Sequence, residues 1–133
     1  MQMQILQPPG WPAPKGYANG IVAEGRTVYV AGQVGWDESC QFPSDDFADQ
    51  VELALKNIVA VLTEAGAEPR HIVRMNWYLA DREAYLSSLK RVGEAYRRVI
   101  GRHYPVMTAF EVSALVSARA KVEIEVTAVV PRD

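Results

Sequence analysis

The sequence predicts an α+β subunit of order ββαβαββ, with two helices packed on one face of a mixed sheet. Three observations predict it. Ala120 to Pro131 sets Val122, Ile124, Val126 and Val130 against Glu123, Glu125 and Thr127, the period of two that marks a half-buried strand. Ile72 to Ala80 alternates in the same way, with Val73, Met75, Trp77 and Leu79 on one face and Arg74, Asn76 and Tyr78 on the other. Two further stretches carry apolar residues at helical spacing, and each runs into a glycine.

In chain order, Gln7 to Gly20 holds four prolines and three glycines around Trp11 and Tyr17, a composition that suits a surface loop and resists regular structure. Ile21 to Val34 reads as a hairpin turning at Glu24-Gly25-Arg26. Gly32 interrupts its second strand, either as a bulge or where a ligand approaches the backbone. Ser44 can cap a helix with Asp45 and Asp46 in its first turn, followed by Phe47, Val51, Ala54, Leu55, Ile58, Leu62 and Ala65. Gly66 ends it, and Pro69 prevents resumption.

Asp81 caps a second helix with a stripe of Tyr85, Leu86, Leu89, Val92, Tyr96, Val99 and Ile100, closed by Gly101. Tyr104-Pro105 opens another strand. Val106, Phe110, Val112 and Ala114 are expected toward the core, with Met107, Ala109, Glu111 and Ser113 outside. Helices on one face leave the other face, with Arg74, Asn76, Tyr78, Met107, Glu111, Glu123 and Glu125, too mixed for a second core. The expectation is oligomerisation, with clefts between subunits.

The chain of 133 residues is the size of one domain spanning residues 1–133. Its net charge of -2 offers no basic field for phosphates, so nucleic-acid binding is disfavoured. Neither a membrane-length apolar run nor a signal-peptide pattern is visible, which makes the cytoplasm the expected location. Cys40 is the single cysteine, so no disulfide can form within the chain. His71 and His103 lack ligand spacing, and no dinucleotide, P-loop or serine-hydrolase motif occurs, so neither a metal nor another cofactor is expected. Glu123 and Glu125 share one strand face about 7 Å apart, and a carboxylate there suits proton transfer. Salt bridges to Arg74 or Arg119 are the alternative use for them.

The pieces KGYANG at 15–20, YVAGQVG at 29–35, QVELALKNIVAVLTEAGA, HIVRMNWYLAD, YPVMTAFEV and KVEIEVTAVV resemble the RidA/YjgF family, whose type members are enamine/imine deaminases. The resemblance covers nearly the whole chain. It implies a chorismate-mutase-like fold, a homotrimer, and three clefts between subunits that bind a small metabolite. It places the family's cleft tyrosine on Tyr17, its strand-end glycine on Gly32 and its water-positioning glutamate on Glu123.

Three positions depart from that pattern. Met107 stands where active deaminases carry the arginine that grips the substrate carboxylate, Ala109 replaces a cysteine, and Lys90 falls where a cleft asparagine is expected. A thioether cannot pair with a carboxylate. Either Arg74 or Arg119 supplies the cation instead, or the ligand lacks a carboxylate there and meets an apolar pocket of Met107, Phe110, Trp77 and Trp11. The expected function is binding of a small metabolite with hydrolysis of an enamine or imine other than the usual 2-imino acids. The alternatives are a non-catalytic ligand-sensing module and an endoribonuclease. The acidic balance and the lack of a histidine acid–base pair disfavour the latter.

Overall fold

In the computed structural model, which describes residues 3–132, the alternating segment Val122–Val130 becomes β6 and lies inside a four-stranded sheet. The elements before it are β1 (Met3–Leu6), β2 (Gly20–Ala23), β3 (Arg26–Val34), α1 (Phe47–Glu64), a 3-10 turn (Pro69–His71), β4 (Ile72–Leu79), α2 (Arg82–Leu86), α3 (Leu89–Val99) and β5 (Val106–Glu111). The sheet order is β3-β6-β4-β5, antiparallel except for the β4–β5 pair. Val122, Ile124, Val126 and Ala128 of β6 are buried beside Met75, Trp77 and Leu79 of β4, and these residues form the floor of the core under the helices.

Both glycine stops hold. Gly66 has φ +70°, with its N–H donating to the Thr63 carbonyl and the Ala67 N–H to Leu62, a left-handed helix end that satisfies two orphan carbonyls. Gly101 ends α3 at φ +92°. The start of α1 is shifted: Asp46, not Ser44, is the N-cap, its carboxylate accepting from the Asp49 N–H at 3.0 Å. Ser44 Oγ instead accepts from the Asp46 N–H and donates to Asp49 Oδ2.

Four further expectations are corrected. β2 and β3 are not a hairpin: β2 pairs with β1, a strand the sequence reading missed, in a separate two-stranded sheet, and β3 pairs with β6. Gly25 is required by packing, since a Cβ there would fall 2.1 Å from the Val130 carbonyl oxygen. The second helix is broken at Ser87 and Ser88 into α2 and α3, which makes three helices, and Leu86 of the proposed stripe is exposed. In β4 the register shifts between Ile72 and Arg74, so Ile72 is the buried residue at that end and Val73 is only half-buried.

The fourth correction moves two site residues, Met107 and Ala109. In the parallel β4–β5 pair, Met107 lies beside Met75, Ala109 beside Trp77 and Glu111 beside Leu79. Neighbours in a ladder point the same way. Met107, Ala109 and Glu111 therefore face the helices, while Val106, Thr108 and Phe110 lie on the outer face with Tyr78 and Glu123. Phe110 accordingly packs edge-on against Tyr78, ring centroids 5.1 Å apart. The strand also ends at Glu111, short of Val112 and Ala114.

Candidate functional site

Two groups of residues stand on opposite faces of the sheet. On the outer face, β6 holds Glu123 and Glu125. Glu125 accepts hydrogen bonds from Asn76 Nδ2 at 3.1 Å and from the Tyr78 hydroxyl, and the carboxylate beside it pushes the Tyr78 phenol above its usual range. Glu123 makes no side-chain hydrogen bond or ion pair among the described residues. It lies against Gly32, where a Cβ would fall 2.1 Å from Glu123 Oε2. The β3–β6 register slips between Val30 and Gln33, so Gly32 sits in a bulge whose bare backbone meets the Glu123 carboxylate.

Neither cation offered for this face is a partner of that carboxylate. Arg119 donates to Asp45 at 2.8 Å and stacks its guanidinium over Phe42, 5.4 Å from the ring centroid. That pairing holds the Asp45 carboxyl below its usual range. Arg74 lines a separate small cavity with Ile21, Val73, Val106 and Thr127.

On the helix face, α3 packs mainly against α1 and stands away from β4 and β5. The space left is a cavity of about 530 Å³. Its floor is Trp77, Met107 and Ala109, its helical wall is Tyr85, Leu89, Val92, Gly93, Tyr96 and Arg97, and its rim is Lys15, Gly16, Tyr17 and Tyr104. The loop carrying Tyr17 is held to β5 by the Ala18 N–H, which donates to the Pro105 carbonyl at 3.0 Å. Tyr96 and Tyr104 stack 5.4 Å apart and nearly parallel. Burial raises the Tyr96 phenol well above its usual range, and its hydroxyl donates to the His103 carbonyl.

The structure thus brings Tyr17, Met107 and Ala109 together in one cavity and sets Gly32 and Glu123 together on the other face. Lys90 is exposed and outside the cavity, and Gly93, three residues on along the helix, occupies the wall instead. Trp11 and Phe110 are also absent from the lining. Sequence reasoning missed Lys15, Gly93, Arg97 and Tyr104. The four-residue step from Gly93 to Arg97 puts both on one side of α3, but nothing in the sequence says that this side faces the cavity.

Both histidines have local partners. Buried His71 accepts the Glu68 N–H through Nδ1 at 2.9 Å, and His103 Nε2 bonds the Ile72 carbonyl. Cys40 is exposed. No helix among the described residues is long and apolar enough to cross a membrane.

Comparison with known proteins bears on nearly the whole chain. The family model described as Endoribonuclease L-PSP matches residues 11–130. A human protein named 2-iminobutanoate/2-iminopropanoate deaminase is 31% identical over 114 residues, 85% of this chain and 79% of the human one. Among solved structures, the Rid-family protein YyfB of Yersinia pestis superposes with a TM-score of 0.85 at 26% identity, covering 98% of this chain and 100% of that one. TdcF of E. coli, solved with bound serine, gives 0.67 at 28% identity, covering 95% and 98%. With the model matched over residues 11–130, the chain belongs to the RidA/YjgF family, the family of the L-PSP model.

Proposed function

We propose that the chain forms a cytoplasmic homotrimer that binds a small metabolite in clefts between subunits and hydrolyses an enamine or imine other than the ordinary 2-imino acids. One observation carries the reading. Glu123 with Gly32, and the cavity with Tyr17 and Met107, occupy opposite faces of one sheet, so a site using both needs the Glu123 of a second copy. The outer face supports that pairing: it leaves Tyr29 79% and Phe110 46% exposed, apolar area that a neighbouring subunit would cover.

In this mechanism the imine carbon sits over the cavity, walled by Tyr17. Glu123 of the adjacent subunit takes a proton from water as the oxygen adds to the C=N carbon. That proton passes to nitrogen to give a carbinolamine; its hydroxyl proton then moves through the same carboxylate to nitrogen as the C–N bond breaks, and ammonia leaves with the carbonyl product. The Gly32 backbone lies beside the carboxylate and contacts the ligand. The deaminase relatives support the reaction class. The shift in substrate follows from Met107, because a carboxylate seated over the cavity floor has lost its charge-assisted pair there, at a cost on the order of 2–5 kcal/mol.

The test is ammonia release from imines generated in situ by an amino-acid oxidase, with oligomer mass followed by light scattering. Glu123→Gln is expected to lower the rate about 100-fold or more while the trimer persists. An unchanged rate would remove Glu123 from the mechanism. Met107 also favours a second reading, a ligand-sensing module. Ligand-dependent thermal stabilisation without product would select it.

A further inference from the structure

We infer that Arg97 holds the anionic group of the ligand, and that this ligand is a carboxylate carrying a flat aromatic or similarly conjugated body. The inference deepens the deaminase reading by naming its substrate class, and it rests on that reading for the chemistry but not for the binding contacts.

The charge of the cavity comes first. Among the described residues, Lys15 and Arg97 line it and no aspartate or glutamate does. Even with one Glu123 carboxylate brought by a second copy, these two cations leave a net positive pocket with apolar walls, which favours an anion. The neighbouring arginines of α3 are differently engaged. Arg91 pairs with Asp46 and Asp49, and Arg98 with Glu52 at 2.6 Å, both reaching across to α1 or its cap. Arg97 has no carboxylate within ion-pair distance among the described residues. The two pairs turn one side of α3 toward α1, and Arg97 falls on the cavity side.

Gly93 then sets where the guanidinium lies. A Cβ at residue 93 would stand 3.3 Å from Arg97 Nη1, so the Arg97 side chain folds back over the bare helix backbone one turn earlier. A Cβ at 93 would press on its tip by a few tenths of an ångström, and a longer side chain would compete with it for the same space. A guanidinium fork at this wall can bind a carboxylate through two hydrogen bonds. This is the task for which Met107, on the floor opposite, is unsuited.

The rest of the lining describes the ligand's body. Tyr17, Tyr85, Tyr96, Tyr104 and Trp77 surround the space, and the Met107 thioether offers a polarizable surface for a ring.

The test measures binding by calorimetry to the full chain, using phenylpyruvate, pyruvate and phenylacetone. The second probe lacks the ring and the third lacks the carboxylate. Phenylpyruvate should bind at least about 30-fold tighter than either, Arg97→Gln should lose about that factor, and Gly93→Asn should lose part of it. Arg97→Lys should recover a fraction, since it restores charge without the fork. The inference is overturned if the natural protein does not bind phenylpyruvate, if Arg97→Gln binds it equally well, or if phenylacetone binds as tightly. Arg97-dependent binding without ammonia release from the matching imine would keep this site and dismiss the deaminase reading. Ammonia release that Arg97→Gln leaves unchanged would do the reverse.

Discussion

Helices α1 and α3 cover the same sheet face in different ways. Under α1, Val51, Ala54, Leu55, Ile58 and Leu62 are fully buried against β3 and β6. The approach is so close that a Cβ on Gly35 would stand 2.6 Å from the Gln50 Cα. Under α3 only Val92, Ala95 and Tyr96 are buried, Leu89 is 49% exposed, and the space over β4 and β5 stays open. The same amphipathic logic thus makes one half a packed core and the other a cavity. The open half carries the broken helix, the glycine in its wall and the arginine without an ion-pair partner. In the proposed function, stability and binding fall to different halves of one face.

The largest expected effect breaks the comparison if it fails. Leu55→Ala should cost about 2–5 kcal/mol in denaturant unfolding, by lost transfer energy plus a cavity that the surrounding side chains cannot fill. Leu89→Ala should stay within about 1 kcal/mol, because its side chain already borders open space. Equal losses would mean that α3 is as tightly packed as α1.

A smaller effect belongs to Gln50, 1% exposed within α1. Its amide donates to the Ser44 and Arg119 carbonyls and accepts the Lys121 N–H at 2.8 Å. Gln50→Leu keeps the bulk and strands those groups, for an expected loss of about 1–3 kcal/mol. No change would mean that water takes over the three bonds.

The smallest effect sharpens the comparison through pH. Burial lowers the His71 pKa in the folded protein, with the nearby Arg70 acting in the same direction. The unfolded chain then binds the proton more readily. The stability from neutral His71 is fully present above the unfolded pKa of about 6.5 and is lost as pH falls below it. His71→Gln should flatten the acid side of the melting-temperature profile between about pH 7 and 5. An unaltered slope would assign the acid sensitivity to other groups.

Much of the α1 half was legible in the sequence. Its stripe from Phe47 to Leu62, the Gly66 stop and the alternation of β6 are long, single-period signals. The β2–β3 hairpin was misread because Gly25 looks like turn chemistry, whereas the strands on either side find their partners far away in β1 and β6. The phase of β5 was misread because Val106, Met107, Ala109 and Phe110 offer apolar residues to both faces, and only the ladder with β4 decides between them. Gly32 and Glu123 could be named from their strands. Arg97 could not, because Arg91, Arg97 and Arg98 look alike until the carboxylates of the α1 region claim two of them.

The central claim is that Glu123 of one subunit completes the cavity of another, and mixed oligomers test it directly. Glu123→Gln removes the carboxylate, and Ala109→Trp fills the cavity floor. Each variant alone is expected to be inactive and trimeric. Random co-assembly should restore about a quarter of the natural sites, those pairing an intact cavity with an intact glutamate from a neighbour. Mixed trimers confirmed by mass that recover no activity would contradict the account.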